Sequence, residues 1–150
     1  KGFGFIPIPE KNLRMPHTGN VTIEEGVEIG ANSTIDRGSL SNTCIGKNTF
    51  IDNQVHIAHN VKIGKNCMIA GQVGFAGSTK IGNNVMIGGQ AGISGHLHIA
   101  DKTKIVAQSG IPSTVKKEAA IVASIHMPHL PSLYRARISL KELPSEPGGP

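Results

Sequence analysis

The sequence predicts an all-β chain, a parallel β-helix of six-residue repeats with a short α-helical extension at its C-terminus. Three observations predict it. Stepping by six from Ile45 gives Ile45, Ile51, Ile57, Ile63, Ile69, Phe75, Ile81, Ile87, Ile93, Ile99, Ile105 and Ile111, eleven Ile in twelve positions. Two residues before each stands a small or β-branched residue, from Thr43 through Val55, Val61, Cys67 and Val73 to Ser109. One residue after comes mostly Gly or Ala, then a pair rich in Asn, Gly and Lys, as in Lys47-Asn48, Lys65-Asn66 and Asn83-Asn84.

A helix repeats every 3.6 residues and a plain strand every 2, so neither yields a strict six. A short strand followed by a tight corner does. The Ile and the residue two before it share one side of the strand, the interior, and the residue between them points out. The outward residues are polar: His56, Lys62, Lys80, His98 and Lys104. Asn and Gly at the corners accept the left-handed backbone of a tight turn. Three strands close one coil of eighteen residues, and stacked coils pair their strands in parallel about 4.8 Å apart. Residues 43–114 give four coils and residues 21–38 a fifth, with a four-residue slip at Ser39–Asn42 read as a corner loop. A right-handed β-helix has longer, irregular coils and does not hold a six for twelve units.

The expected organisation is a lead-in segment or linker over 1–20, the β-helix over 21–114, and an extension over 115–150. The lead-in carries Pro7, Pro9 and Pro16 and no period. The extension is read as a short helix over Leu130–Leu143, with Pro131 in its first turn, and a disordered Pro/Gly-rich tail. Nineteen glycines, four Phe and no Trp fit a core built from Ile rather than aromatics. The net charge of +5 is no nucleic-acid signature, because no basic run interleaves with aromatics. Cys44 and Cys67 read as buried free thiols, not as a disulfide or zinc pair. No apolar run reaches the ~18–20 residues of a membrane span.

Among the seven histidines, His56 and His98 read as solvated outward residues, and His17, His126 and His129 have no assignable role. His59 and His96 fall at corners. Adding eighteen to 59 gives Gly77, and eighteen more gives Gly95, next to His96. A histidine thus shares a column with bare glycine backbone. A general base needs exposure and a near-neutral pKa, and a glycine corner can aim an N–H at a developing oxyanion. Asp52, seven residues before His59, breaks the Gly/Ala preference of its position. It reads either as the carboxylate that fixes the histidine's tautomer or as a corner cap bonded to its own backbone. A three-histidine zinc site like that of the gamma-class carbonic anhydrases needs two histidines five apart, and no pair here has that spacing.

The run Asp52-Asn53-Gln54-Val55-His56-Ile57-Ala58-His59-Asn60-Val61 resembles the active-site signature of the lipid A hexapeptide acyltransferases. Gly74-Phe75-Ala76-Gly77-Ser78-Thr79 and Gly95-His96-Leu97 are similar to the family's next two motifs. Gly2-Phe3-Gly4-Phe5 and Ile35-Asp36-Arg37-Gly38 with the slip after it resemble the N-acyltransferase branch. The resemblance covers residues 1–118. It implies a left-handed coil and transfer of a 3-hydroxyacyl chain from acyl carrier protein to the 2-amine of UDP-3-O-acylglucosamine, with O-acylation of UDP-N-acetylglucosamine as the sister reaction. It implies His59 as general base, Asp52 as its orienting group and Gly77 N–H as oxyanion donor. His96, Asn53 and Gly95 are implied to bind substrate. It further implies a homotrimer with sites between prisms, no metal or dissociable cofactor beyond the acyl-phosphopantetheine of the carrier protein, and the cytoplasm of a Gram-negative bacterium. The family's N-terminal uridine-binding domain is expected to lie before Lys1. A non-catalytic, trimerising β-helix is the reading from another class.

Overall fold

A computed structural model describes residues 2–124. Within them the chain is all-β and winds as a left-handed parallel β-helix of hexapeptide repeats. The predicted helix over Leu130–Leu143 lies outside the described residues.

Each strand pairs with the one a full coil later. Lys62-Ile63 lies opposite Lys80-Ile81, and Met68-Ile69 opposite Met86-Ile87. The outcome is a three-sided prism of two five-stranded sheets and one six-stranded sheet. The outward residues name its sides. The lysine face shows Thr22, Cys44, Lys62, Lys80 and His98. The methionine face shows Glu28, Phe50, Met68, Met86, Lys104 and Ile121. The glycine face shows Thr34, His56, Gly74, Gly92 and Gly110. Parallel pairing runs past Thr114, because Ile121-Val122 adds to Lys104-Ile105.

The core is the Ile column with Phe75 in its middle, packed on Val55, Val61, Val73 and Val85. Thr43, Thr49, Thr79 and Thr103 are fully buried. A buried hydroxyl needs an acceptor, and the corners supply it: Thr49 donates to Gly64 O at 2.8 Å and Thr103 to Ala100 O at 2.7 Å. Cys67 is buried, and burial pushes its thiol pKa up. Cys44 corrects the expectation of a second buried thiol. It stands between inward Thr43 and Ile45, so alternation turns it outward onto the lysine face, where Lys62 Nζ lies 3.2 Å from its sulfur.

The corners hold a left-handed residue in each repeat, among them Asn48, Gln54, Asn60, Asn66 and Gln72. Between the methionine and glycine faces these residues are Gln54, Gln72, Gln90 and Gln108, and their amides form a ladder with steps of 2.8–2.9 Å. The slip at Ser39–Asn42 is also seen. Val21 pairs with Thr43 across an offset of 22, which is one coil plus four. The extra residues fold over the corner between the glycine and lysine faces, where Gly19 N–H donates to Gly38 O. The segment read as a lead-in forms an antiparallel hairpin, Phe5–Ile8 against Lys11–Arg14, whose prolines sit in or beside an isolated two-stranded ribbon without breaking it.

Candidate active site

His59, Gly77 and Gly95 stack on the corner between the glycine and lysine faces, as the eighteen-residue arithmetic requires. Ser78 N–H donates to His59 O at 2.9 Å and His96 N–H to Gly77 O at 3.0 Å, which ties the three coils together. A Cβ added at Gly77 would lie 2.6 Å from His59 Nε2. The imidazole therefore rests on the bare α-carbon of the coil above. Gly77 does not have the positive φ that demands glycine; space demands it. Its N–H has no hydrogen-bond partner among the described residues.

Asn60 holds the ring. His59 Nδ1 lies 2.9 Å from Asn60 Oδ1. The orientation of that amide is set by its other partners. Asn60 Oδ1 accepts from Ser39 N–H at 3.1 Å and Ser39 Oγ at 2.7 Å, and Asn60 Nδ2 donates to Ser41 O at 2.9 Å. An oxygen facing Nδ1 requires the proton on Nδ1. Nε2 is thereby left with its lone pair beside Gly77. The four-residue slip supplies both serines, so the insertion is part of the site.

Asp52 and Asn53 lie elsewhere. They occupy the corner between the methionine and glycine faces, where Asp52 Oδ1 accepts Asn53 N–H at 2.7 Å and Asn53 Oδ1 accepts Ala31 N–H at 2.7 Å. Within one chain, no hydrogen bond joins Asp52 to His59 among the described residues, and Asp52 lines a different depression, on the methionine face. Seven residues is one repeat plus one, and one repeat back is the previous corner. His96 is exposed, at the left-handed position of the corner, φ 59°, in column with Asn60 and Ser78.

His59 opens into a cleft of about 670 Å³ on the glycine face, lined also by Phe3, Asp36, His56, Gly74, Gly92 and Ser94. Ideal Cβ atoms at Gly74, Gly92 and Gly110 would meet nothing within 4 Å, so this face is an open shelf leading from the corner. His56 is anchored by Thr34 Oγ1, 2.8 Å from its Nδ1. The ring of His17 lies beside that of His59, with centroids 5.2 Å apart. Sequence reasoning missed Asn60, Phe3, Asp36 and His17. Asn60, Phe3 and Asp36 each stood in a run that resembles the family but had no role assigned, and His17 carried no signal.

Burial first, then His59, lowers the pKa of His17 below the ordinary 6.5; Asp36 acts to raise it, and Arg14 and Arg37 act to lower it. A group whose charged form is disfavoured only in the folded chain contributes stability above its unfolded pKa. That stability is lost as pH falls from about 6.5 through the depressed folded value. The protection factors of the lead-in hairpin amides, the intrinsic exchange rate at each pH divided by the observed rate, are therefore expected to fall as pH is lowered from about 7 to about 5, and not to do so in His17→Phe.

Fold and corner define the class: the chain contains a hexapeptide-repeat domain, and residues 42–77 match the bacterial transferase hexapeptide (six repeats) family. It is similar to the UDP-3-O-acylglucosamine N-acyltransferase of Microcystis aeruginosa, 57% identical over 60 residues, which are 40% of this chain and 18% of that protein. The Bradyrhizobium diazoefficiens protein of the same name is 59% identical over 61 residues, 40% of this chain and 17% of that one. The chain thus spans under a fifth of the length of the curated relatives it matches. Among solved structures, UDP-N-acetylglucosamine O-acyltransferase from Moraxella catarrhalis superposes with a TM-score of 0.63 at 33% identity, over 64% of this chain and 38% of that one. The Arabidopsis UDP-N-acetylglucosamine acyltransferase gives 0.59 at 27% identity, over 63% and 35%. No helix among the described residues is long and apolar enough to cross a membrane.

Proposed function

We propose that the chain transfers a 3-hydroxyacyl group from acyl carrier protein to the 2-amine of UDP-3-O-acylglucosamine. The observation that carries this reading is one corner on which a tautomer-fixed imidazole, His59, rests against Gly77, whose backbone N–H has no hydrogen-bond partner among the described residues. The amine nitrogen attacks the thioester carbonyl as His59 Nε2 takes its proton. Gly77 N–H donates to the oxyanion, and the carbon–sulfur bond then breaks to release the pantetheine thiol, protonated from His59. The acyl-phosphopantetheine is substrate, and the proposed reaction uses no resident cofactor or metal. The open glycine shelf suits an extended thioester arm, with Gly95 and His96 beside it.

The relatives' shared name supports the amine acceptor. The proposed assembly is a homotrimer. Phe50, Met68 and Met86, each 44–54% exposed, give the methionine face an apolar stripe suited to contact between copies. In such an assembly Asp52 and Asn53 serve a site only from a neighbouring copy. The carrier protein and nucleotide sugar put the proposed reaction in the cytoplasm.

The sister O-acylation is favoured by one observation, the 33% identity to a solved O-acyltransferase. A mixture of 3-hydroxyacyl carrier protein with equal amounts of UDP-3-O-acylglucosamine and UDP-N-acetylglucosamine separates the readings by product mass. The expected product is the amide alone, with its new acyl group stable to hydroxylamine. A hydroxylamine-labile ester on UDP-N-acetylglucosamine would instead establish the sister reaction. No product from either acceptor would overturn the reading for this stretch of chain alone, and the same assay with a nucleotide-binding domain joined before Lys1 would then separate an incomplete enzyme from a non-catalytic scaffold.

A further inference from the structure

His17 lies outside the repeat, and the reaction proposed above leaves it unused. Both its ring nitrogens are buried and have no hydrogen-bond partner among the described residues. A partnerless buried imidazole is costly, and its surroundings are shaped to hold it. A Cβ at Gly4 would fall 2.6 Å from His17 Nε2, and one at Gly2 would overlap Nδ1. Extended backbone alternates sides, so Gly2 and Gly4 turn bare α-carbons toward the ring while Phe3 and Phe5 turn away and meet edge to face at 5.9 Å. The resulting arch is tied down at two points. Phe3 N–H donates to buried Asp36 Oδ2 at 3.3 Å, and Met15 N–H donates to Gly4 O at 3.0 Å. The Gly-Phe-Gly-Phe run therefore seats one imidazole and sends Phe3 into the lining of the His59 cleft.

The seated ring packs on the base, its plane tilted 54° to that of His59. Asn60 fixes one edge of His59, the α-carbon of Gly77 abuts it from the next coil, and His17 walls another side. We propose that His17 is a positioning residue: an uncharged aromatic wall, seated in the Gly2–Phe3–Gly4 arch, that keeps the His59 imidazole against Gly77. With its nitrogens covered, His17 does not compete for the proton His59 takes. The inference deepens the reading of His59 as general base, and the tautomer arm of its test needs no substrate.

Nitrogen-15 spectra of the labelled imidazoles in the described chain supply the test. In the unaltered chain His59 is expected to show one tautomer, protonated on Nδ1. His17→Ala is expected to release the ring to an average of both tautomers, and kcat to fall about ten- to a hundredfold with KM changed by no more than about twofold. His17→Phe keeps the wall and is expected to hold the single tautomer and to recover kcat to within about threefold. Gly4→Ala evicts the imidazole without deleting it and is expected to match His17→Ala. The proposal is overturned if His59 keeps one tautomer in both His17→Ala and Gly4→Ala, or if His17→Phe behaves as His17→Ala. Release of the tautomer in a chain that shows no acyl transfer would sustain the positioning role while refuting the proposed function.

Discussion

Replacing His59 with Ala is expected to lower kcat for acyl transfer by about 10²–10⁴-fold, the range for loss of a general base. The neutral amine must shed a proton as it attacks, and among the described residues His59 is the group on the glycine–lysine corner with a ring nitrogen against Gly77. His56, in the same cleft, has Nδ1 engaged by Thr34 and belongs to the strand, not the corner. The fold should survive. His59 is half-buried at a corner, and Asn60 keeps its bonds to Ser39, Ser41 and Thr43 when the ring is gone. Steady-state kinetics with thermal unfolding alongside check this: kcat falls, KM stays within a few fold, and the melting transition does not move.

Gly77→Ala is expected to cost about 10²-fold in kcat through a single methyl group. The added Cβ meets His59 Nε2 at 2.6 Å and Cε1 at 2.7 Å, and no backbone at that range. A side chain yields more readily than a packed strand, so the imidazole is displaced and the coil is not. The same change one coil up serves as control. A Cβ at Gly95 meets Gly77 O at 3.1 Å and no histidine, and Gly95→Ala is expected to hold kcat within about threefold of the unaltered chain, its loss falling on KM. Equal losses at the two positions would mean that glycine is needed for the corner and not for the base.

The period of six made most of the fold legible. It assigned the inward Ile column, the outward lysines, the coil register and the four-residue slip, since a stacked coil leaves little freedom once phase is known. The same arithmetic found the column His59–Gly77–Gly95. It also sets Asp52 one repeat earlier, on a different corner from His59 within one chain. Likewise Cys44 falls midway between two inward residues, and phase alone turns it outward. Asn60 escaped because its role depends on Ser39 and Ser41, which belong to the insertion that interrupts the period. His17 and the arch around it were illegible for the same reason. Nothing periodic links residue 17 to residue 59, and the contact exists only because the lead-in segment folds back over the corner.

Chemical rescue of His59→Ala by added imidazole tests the central claim most directly, because it asks whether a free base can do what His59 does. The rate of amide formation is expected to rise about tenfold or more with imidazole and to track its neutral fraction as pH is varied. Rates indifferent to imidazole, or equal in His59→Ala and the unaltered chain, would contradict the assignment of His59 as the base.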